Sequence, residues 1–142
     1  MVEGSYEAIL EGIVDRLNTI GSIAVLLDYE PTAIQDTPLV YMLLDRTERE
    51  KSGQLTAMRY RVLCRLCVPW MDNEEAEREL IPFVNSIPAA IDADPTLGGR
   101  VTRGRAYVSE QVGVFVSIGG TLYRALDTFV EVLYKGPFQS GI

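Results

Sequence analysis

Two cysteines have the spacing that comes closest to a chemical motif. Cys64 and Cys67 form a Cys-x-x-Cys pair, as in zinc knuckles and thiol redox sites. A structural zinc site needs two further ligands, and the sequence has no other cysteine and no histidine. The pair lies in a segment that alternates like a β-strand, where positions three apart point to opposite faces. We therefore expect one buried and one partly exposed thiol, without a metal or redox role.

The other residues that could do chemistry lack a catalytic arrangement. The absence of histidine removes the commonest general base and metal ligand. Neither Gly98-Gly99 nor Gly119-Gly120 has the spacing of a phosphate loop. Five carboxylates cluster at the start and solvated side of a predicted helix: Asp72, Glu74, Glu75, Glu77 and Glu79. The sequence thus predicts no enzyme and no cofactor. A metal-independent hydrolase using two carboxylates is the catalytic alternative.

Three arginines on one predicted strand face are candidates for an interface. Arg59, Arg61 and Arg65 would repel one another unless acidic residues lie opposite them. Asp127 or Glu131 on a neighbouring strand could supply that charge, and an ionic contact between subunits is the second interpretation. Nucleic-acid binding is disfavoured, since no stacking aromatics are interleaved with these arginines and the net charge is −7.

The elements that position these residues follow from hydrophobic periodicity. Apolar residues at three- and four-residue spacing predict a first helix over 5–20, ended by Gly21, and a second from Asp72 to Ile91. We expect Val84 in the buried stripe of the second helix, and a kink or break near Leu80 and Ile81 because of Pro82. Strands are predicted over 23–29, 38–45, 55–68, 100–110, 111–118 and 121–134.

The order of these elements predicts one α+β domain over residues 1–142. It is a mostly antiparallel β-sheet flanked by two main helices on one face. Residues 46–53 are expected to form a charged, flexible connection, and 135–142 an extended tail with two orphaned apolar residues, Phe138 and Ile142. Strands 23–29 and 38–45 are apolar on both faces, so a neighbouring subunit could cover one of them. No apolar run approaches the ~20 residues that span a bilayer.

Two segments resemble a known family. Residues 83–101, with the Asp-Pro-Thr-Leu-Gly-Gly turn at 94–99, are similar to a segment of tail-terminator and tail-completion proteins of long-tailed bacteriophages. In that family a helix ends in such a turn and a strand pair follows, and residues 123–132 resemble the family's final strand. The order of the preceding elements fits as well, so the resemblance covers nearly the whole chain.

The resemblance implies a structural role in the virion. Family members commonly form hexameric rings at the head-proximal end of the tail, where they stop tube polymerisation. The implied partners are further copies of the chain, the tail-tube protein and the head–tail connector or neck protein, with DNA passing through the lumen without specific binding. Assembly would take place in the host cytoplasm, without a membrane. Nine residues are interface candidates: Arg46, Arg49, Lys51, Arg59, Arg61, Arg65, Glu131, Phe138 and Ile142.

Two other functions remain open at this point. A head-completion or neck protein has the same size range as a tail terminator and is the nearest alternative. A monomeric module that binds a small molecule or a peptide is the alternative from a different class, and it would need one deep apolar pocket.

Overall fold

One five-stranded sheet and two helices make up the part of the chain that the computed structural model describes, residues 3–53 and 55–136. The sheet has the strand order β1-β2-β3-β5-β4, in which β1 runs parallel to β2 and the other neighbours are antiparallel. The predicted α+β class and mostly antiparallel sheet are confirmed. The elements are α1 (Tyr6–Leu17), β1 (Val25–Leu27), β2 (Leu39–Ser52), β3 (Leu55–Pro69), α2 (Asn73–Asp92), β4 (Gly104–Ile118) and β5 (Thr121–Gly136).

Helix α1 buries the apolar stripe that its sequence predicts. The Ala8 backbone N–H donates to the Ser5 side chain at 3.2 Å, which caps the amino end. Ile9, Ile13 and Leu17 have no exposed surface. The helix ends at Leu17, four residues before Gly21, because the chain there turns through i→i+3 hydrogen bonds.

Helix α2 is continuous, so of the kink or break predicted near Leu80 and Ile81 the break does not occur. Asp72 caps its amino end as expected, accepting the Glu74 backbone N–H at 2.8 Å. Pro82 and Pro88 both lie inside the helix, each removing one backbone donor. Burial of one side of the helix against the sheet holds it together despite those losses. That side includes Phe83 in place of the predicted Val84, which is 40% exposed.

The β2–β3 hairpin is longer than the sequence suggests. Residues 46–53 were expected to form a flexible connection, but β2 continues to Ser52, which pairs with Leu55. A register shift between Leu44 and Arg46 lets the strand continue past its apolar part. Residues 46–52 form a strand because their backbone pairs with β3, although their charged side chains do not favour a strand.

Two further strand predictions are corrected. The strands predicted over 100–110 and 111–118 form a single strand, β4, with a register shift between Val108 and Glu110. Lys135 and Gly136 belong to β5, which pairs with β3 to its end, so the predicted tail does not begin at 135. The rest of that tail, including Phe138 and Ile142, lies outside the described residues.

The core lies on both faces of the sheet. The larger cluster joins both helices to the alternate residues of β3 that run from Tyr60 to Val68. A smaller cluster on the opposite face buries Leu39 and Tyr41 against Ile118, Tyr123 and others. The chain itself therefore covers this part of the second face, and the neighbouring subunit that the sequence suggested is not needed there.

The turn after α2 packs against α1. Leu97, Gly98 and Gly99 all have positive φ, at 54°, 69° and 83°. A positive φ is uncommon for a residue other than glycine, so the turn is strained at Leu97. The Thr96 hydroxyl and the Gly98 backbone N–H both donate to Asp94 and hold the pKa of its carboxyl below the ordinary value. Leu97 is completely buried, and a Cβ on Gly12 would lie 2.6 Å from its Cβ.

We expect Gly12→Val to reduce the free energy of unfolding by about 2 kcal/mol, because the added atoms overpack a dense contact. Gly21→Val adds the same atoms where no heavy atom lies within 4 Å, and it should change stability by less than about 0.5 kcal/mol. Urea denaturation of both variants measures the difference. Equal stability of the two variants would show that the contact between Gly12 and Leu97 is not tightly packed.

Candidate interaction surface

The face of the sheet opposite the helices, called the open face below, holds Arg65 in an internal ion pair. Arg65 Nε and Nη2 donate to the two carboxylate oxygens of Asp127 at 2.7 and 2.8 Å, and Nη1 donates to the Tyr41 hydroxyl at 3.1 Å. The hydrogen bond to Asp127 raises the pKa of Arg65 above its ordinary value. Only 7% of the Asp127 side chain is exposed. Arg65 therefore has the acidic strand neighbour that the sequence predicted.

Arg61 is also held within the chain. Its guanidinium lies 3.1 Å from Asp45 and 3.0 Å from Glu110, and its central carbon is 4.1 Å from the centre of the Phe129 ring. Glu131 is opposite Arg61 in the sheet register and is only 8% exposed. The structure thus brings Arg61, Arg65 and Glu131 into the open face, with little surface left for a partner.

The other predicted cations lie on the half of the β2–β3 hairpin that is nearest its turn. Alternation separates them, with Arg46 and Arg59 on the open face and Arg49 and Lys51 on the side of the helices. All four are exposed, and Arg46 lies 3.5 Å from Glu48. The hairpin is therefore a paired arm that carries exposed cations on both of its sides.

An exposed apolar surface lies at the opposite end of the sheet. This sheet-end patch consists of Trp70, Met71, Phe115 and Leu122, which are 38%, 91%, 52% and 40% exposed. The Trp70 and Phe115 rings meet edge to face with centroids 6.0 Å apart. A groove of about 290 Å³ runs beside the patch, between Ile34 and Tyr123 among others.

Sequence reasoning missed the sheet-end patch because its members are far apart in the chain. Trp70 and Met71 follow β3, whereas Phe115 and Leu122 flank the β4–β5 turn. One signal was available: the only tryptophan stands beside a methionine, just before a helix cap, outside any amphipathic stripe. A large apolar pair in a connecting segment is unusual unless a neighbour covers it.

The cysteines are not placed for chemistry. Cys64 and Cys67 lie in the clusters on opposite faces of the sheet, as the strand period predicts, but both are fully buried and not only one. Burial raises the pKa of each thiol from 9.0 to about 12. Among the described residues, no group of three or more potential ligands could hold a metal ion.

The carboxylates at the start of α2 have structural partners or lie in solvent. Asp72 caps the helix, and Glu77 accepts from Arg124 Nε at 2.6 Å. The carboxyl groups of Glu3 and Asp94, elsewhere in the chain, have lowered pKa values because hydrogen bonds favour their charged forms. This direction is opposite to the one that a carboxyl general acid requires.

Comparison with known proteins adds no family. The sequence matches no protein-family model, and no curated protein is significantly similar to it. Within residues 3–53 and 55–136, neither helix has the length and apolar character needed to cross a bilayer. The resemblance to tail terminators thus stays a prediction.

We expect Asp127→Asn to lower the free energy of unfolding by about 3 kcal/mol, because it leaves the half-buried Arg65 without its counter-charge. Glu74→Gln breaks the pair with Arg78, in which both side chains are at least 70% exposed, and should cost less than about 0.5 kcal/mol. Thermal and urea unfolding of the two variants provide the comparison. A small effect at both positions would mean that the open-face pair does not stabilise the sheet.

The thiols should be unreactive in the native protein. At about pH 8 a thiol with so high a pKa is almost entirely protonated, and only the thiolate attacks a disulfide reagent. Labelling with an aromatic disulfide should therefore require urea, with both cysteines reacting as the chain unfolds. Rapid labelling of either residue without denaturant would contradict the burial of these side chains.

Proposed function

We propose that this chain is a structural protein of a long-tailed bacteriophage, a tail terminator that forms a ring at the head-proximal end of the tail. In that position it ends polymerisation of the tube and provides the surface that meets the head or neck. The proposal joins the resemblance of residues 83–101 and 123–132 to an observation on the surface. That observation is the sheet-end patch.

The sheet-end patch supports an assembly role because of its composition and its position. Tryptophan, methionine and phenylalanine are enriched where proteins bury surface on one another, and tryptophan is a frequent hot spot. Three such side chains, together with Leu122, are exposed to solvent at one end of the sheet, which is typical of a surface that another protein covers. A neighbouring subunit or the last tube ring would remove them from water.

The charge of the chain suits a ring through which DNA passes. The net charge is −7, and Arg61 and Arg65 on the open face are paired with carboxylates of the same chain. An acidic inner wall repels phosphate and lets DNA slide without being held. This observation supports the role of a conduit over that of a DNA-binding protein.

The test is assembly of the tail-tube protein from the same phage genome, with and without this chain, followed by negative-stain imaging. We expect shorter tubes that end in a ring when the chain is present. Leu122→Asp should abolish the effect by placing a charge in the sheet-end patch. Ile81→Asp is the matched control, since Ile81 is 60% exposed on α2 and is not a member of that patch.

Two outcomes would count against the terminator role. Tubes of unchanged length and without a terminal ring would exclude it under these conditions. Binding to the connector protein without any effect on tube length would identify the chain as a head-completion or neck protein.

A further inference from the structure

Two carboxylates at the start of α2 have no partner among the described residues. Glu75 and Glu79 are one helical turn apart and exposed, and neither forms an ion pair within 3–53 and 55–136. The other acids of this region are occupied, since Asp72 caps the helix and Glu74 and Glu77 bind arginines. Two adjacent unpaired negative charges repel each other and gain from a cation placed between or opposite them.

The two carboxylates edge a recess with an apolar floor. The recess has a volume of about 160 Å³ and is lined by Pro69, Met71 and Asp72 in addition to Glu75 and Glu79. Met71, which also belongs to the sheet-end patch, is 91% exposed. An apolar floor beneath carboxylates suits a lysine or arginine side chain, whose aliphatic stem packs on the floor while its head reaches the acids.

The same chain carries a matching pair of cations. Arg49 and Lys51 occupy alternate positions of β2, so both point to the same side of the hairpin. Both are exposed and neither forms an ion pair among the described residues. Their positions along the strand are ~7 Å apart, and those of Glu75 and Glu79 along the helix are ~6 Å apart. Each cation can therefore face one carboxylate.

These two pairs cannot meet within one molecule. Arg49 is opposite Met58 in the register, and the recess begins at Pro69, at the other end of the same strand. The intervening stretch of extended β3 is ~36 Å long at about 3.3 Å per residue. The hairpin of one copy can reach the recess only of another copy.

We propose that the β2–β3 hairpin of each copy docks on the α2 recess of the next, with Arg49 and Lys51 facing Glu75 and Glu79. This contact joins two different surfaces, so it is head-to-tail and generates a ring when the rotation between copies closes. The inference rests on the proposed function, for which it names the contact between neighbouring subunits. It also brings the hairpin beside the exposed Met71 of the sheet-end patch.

Charge reversal tests the contact, with mass photometry or sedimentation as the measurement. We expect oligomers from the natural chain, and monomers from both Glu75→Lys/Glu79→Lys and Arg49→Glu/Lys51→Glu. Each reversal replaces two attractive pairs by two repulsive ones and should weaken association by at least about tenfold. Raising the salt concentration should weaken association of the natural chain in the same direction.

Mixing the two variants is the decisive step. Each monomeric variant keeps one natural surface and carries one reversed surface, so the two complement each other alternately in a head-to-tail contact. An equimolar mixture, and the chain carrying all four reversals, should both recover the oligomer. A contact between two hairpins or between two recesses would bring like charges together in the natural chain and in the chain with all four reversals, so it could not form in either. An oligomer larger than a dimer then distinguishes the head-to-tail contact from a two-fold one.

Glu7→Lys/Asp92→Lys is the control, because it makes the same change in net charge as the reversal of Glu75 and Glu79, at two exposed acids that belong to neither proposed surface. It should assemble like the natural chain, and circular dichroism should show every variant folded. A natural chain that stays monomeric, reversals that leave the oligomer intact, or a mixture that does not recover would each overturn the contact. The tube-length assay is independent, since a ring that fails to shorten tubes refutes the terminator role and leaves this contact standing.

Discussion

Strand β3 is paired with β2 on one side and with β5 on the other along nearly its whole length. Because of this double pairing, every second residue must face the helices and every other residue the open face. Tyr60, Val62, Cys64, Leu66 and Val68 thereby form the floor on which both helices pack. The same constraint places the three arginines of this strand on the opposite face. The other elements pack against one or the other of these two faces.

The open face pairs two of the three arginines of β3 with carboxylates that come from several strands. Asp127 comes from β5, Glu110 from β4 and Asp45 from the register shift in β2. Because these carboxylates surround Arg61 and Arg65, both cations are paired within the chain and are not available to a partner. The surface that remains for recognition lies at the two ends of the sheet, on the hairpin and on the sheet-end patch.

Local sequence patterns correctly predicted the features that depend on interactions within a single helix or strand. Alternation identified the face of β3, three- and four-residue spacing identified the buried stripe of α1, and Asp72 was recognised as a cap. The predictions failed where tertiary contacts decide. Pairing with β3 makes a strand of residues 46–52, although their charges are typical of a loop, and packing on the sheet keeps α2 helical through Pro82.

The candidate surfaces were predictable only in part, for the same reason. The exposed cations Arg46, Arg49, Lys51 and Arg59 were selected from sequence, but their division between two sides of the hairpin depends on a register shift. The sheet-end patch joins residues from three separate parts of the chain, and its existence depends on where β3, β4 and β5 end relative to one another. No single segment contains that information.

The energetics of the proposed contact assign different roles to its charged and apolar parts. Two exposed ion pairs contribute roughly 0.2–1 kcal/mol each, whereas micromolar association requires about 8 kcal/mol. Arg49 and Lys51 therefore cannot hold a ring together alone. The larger share has to come from apolar side chains such as Trp70 and Met71, whose burial is favourable but does not select a direction. The charges then fix which end meets which, because two hairpins or two recesses brought together would repel. In a closed ring each subunit makes this contact twice, so modest contacts between neighbours become cooperative.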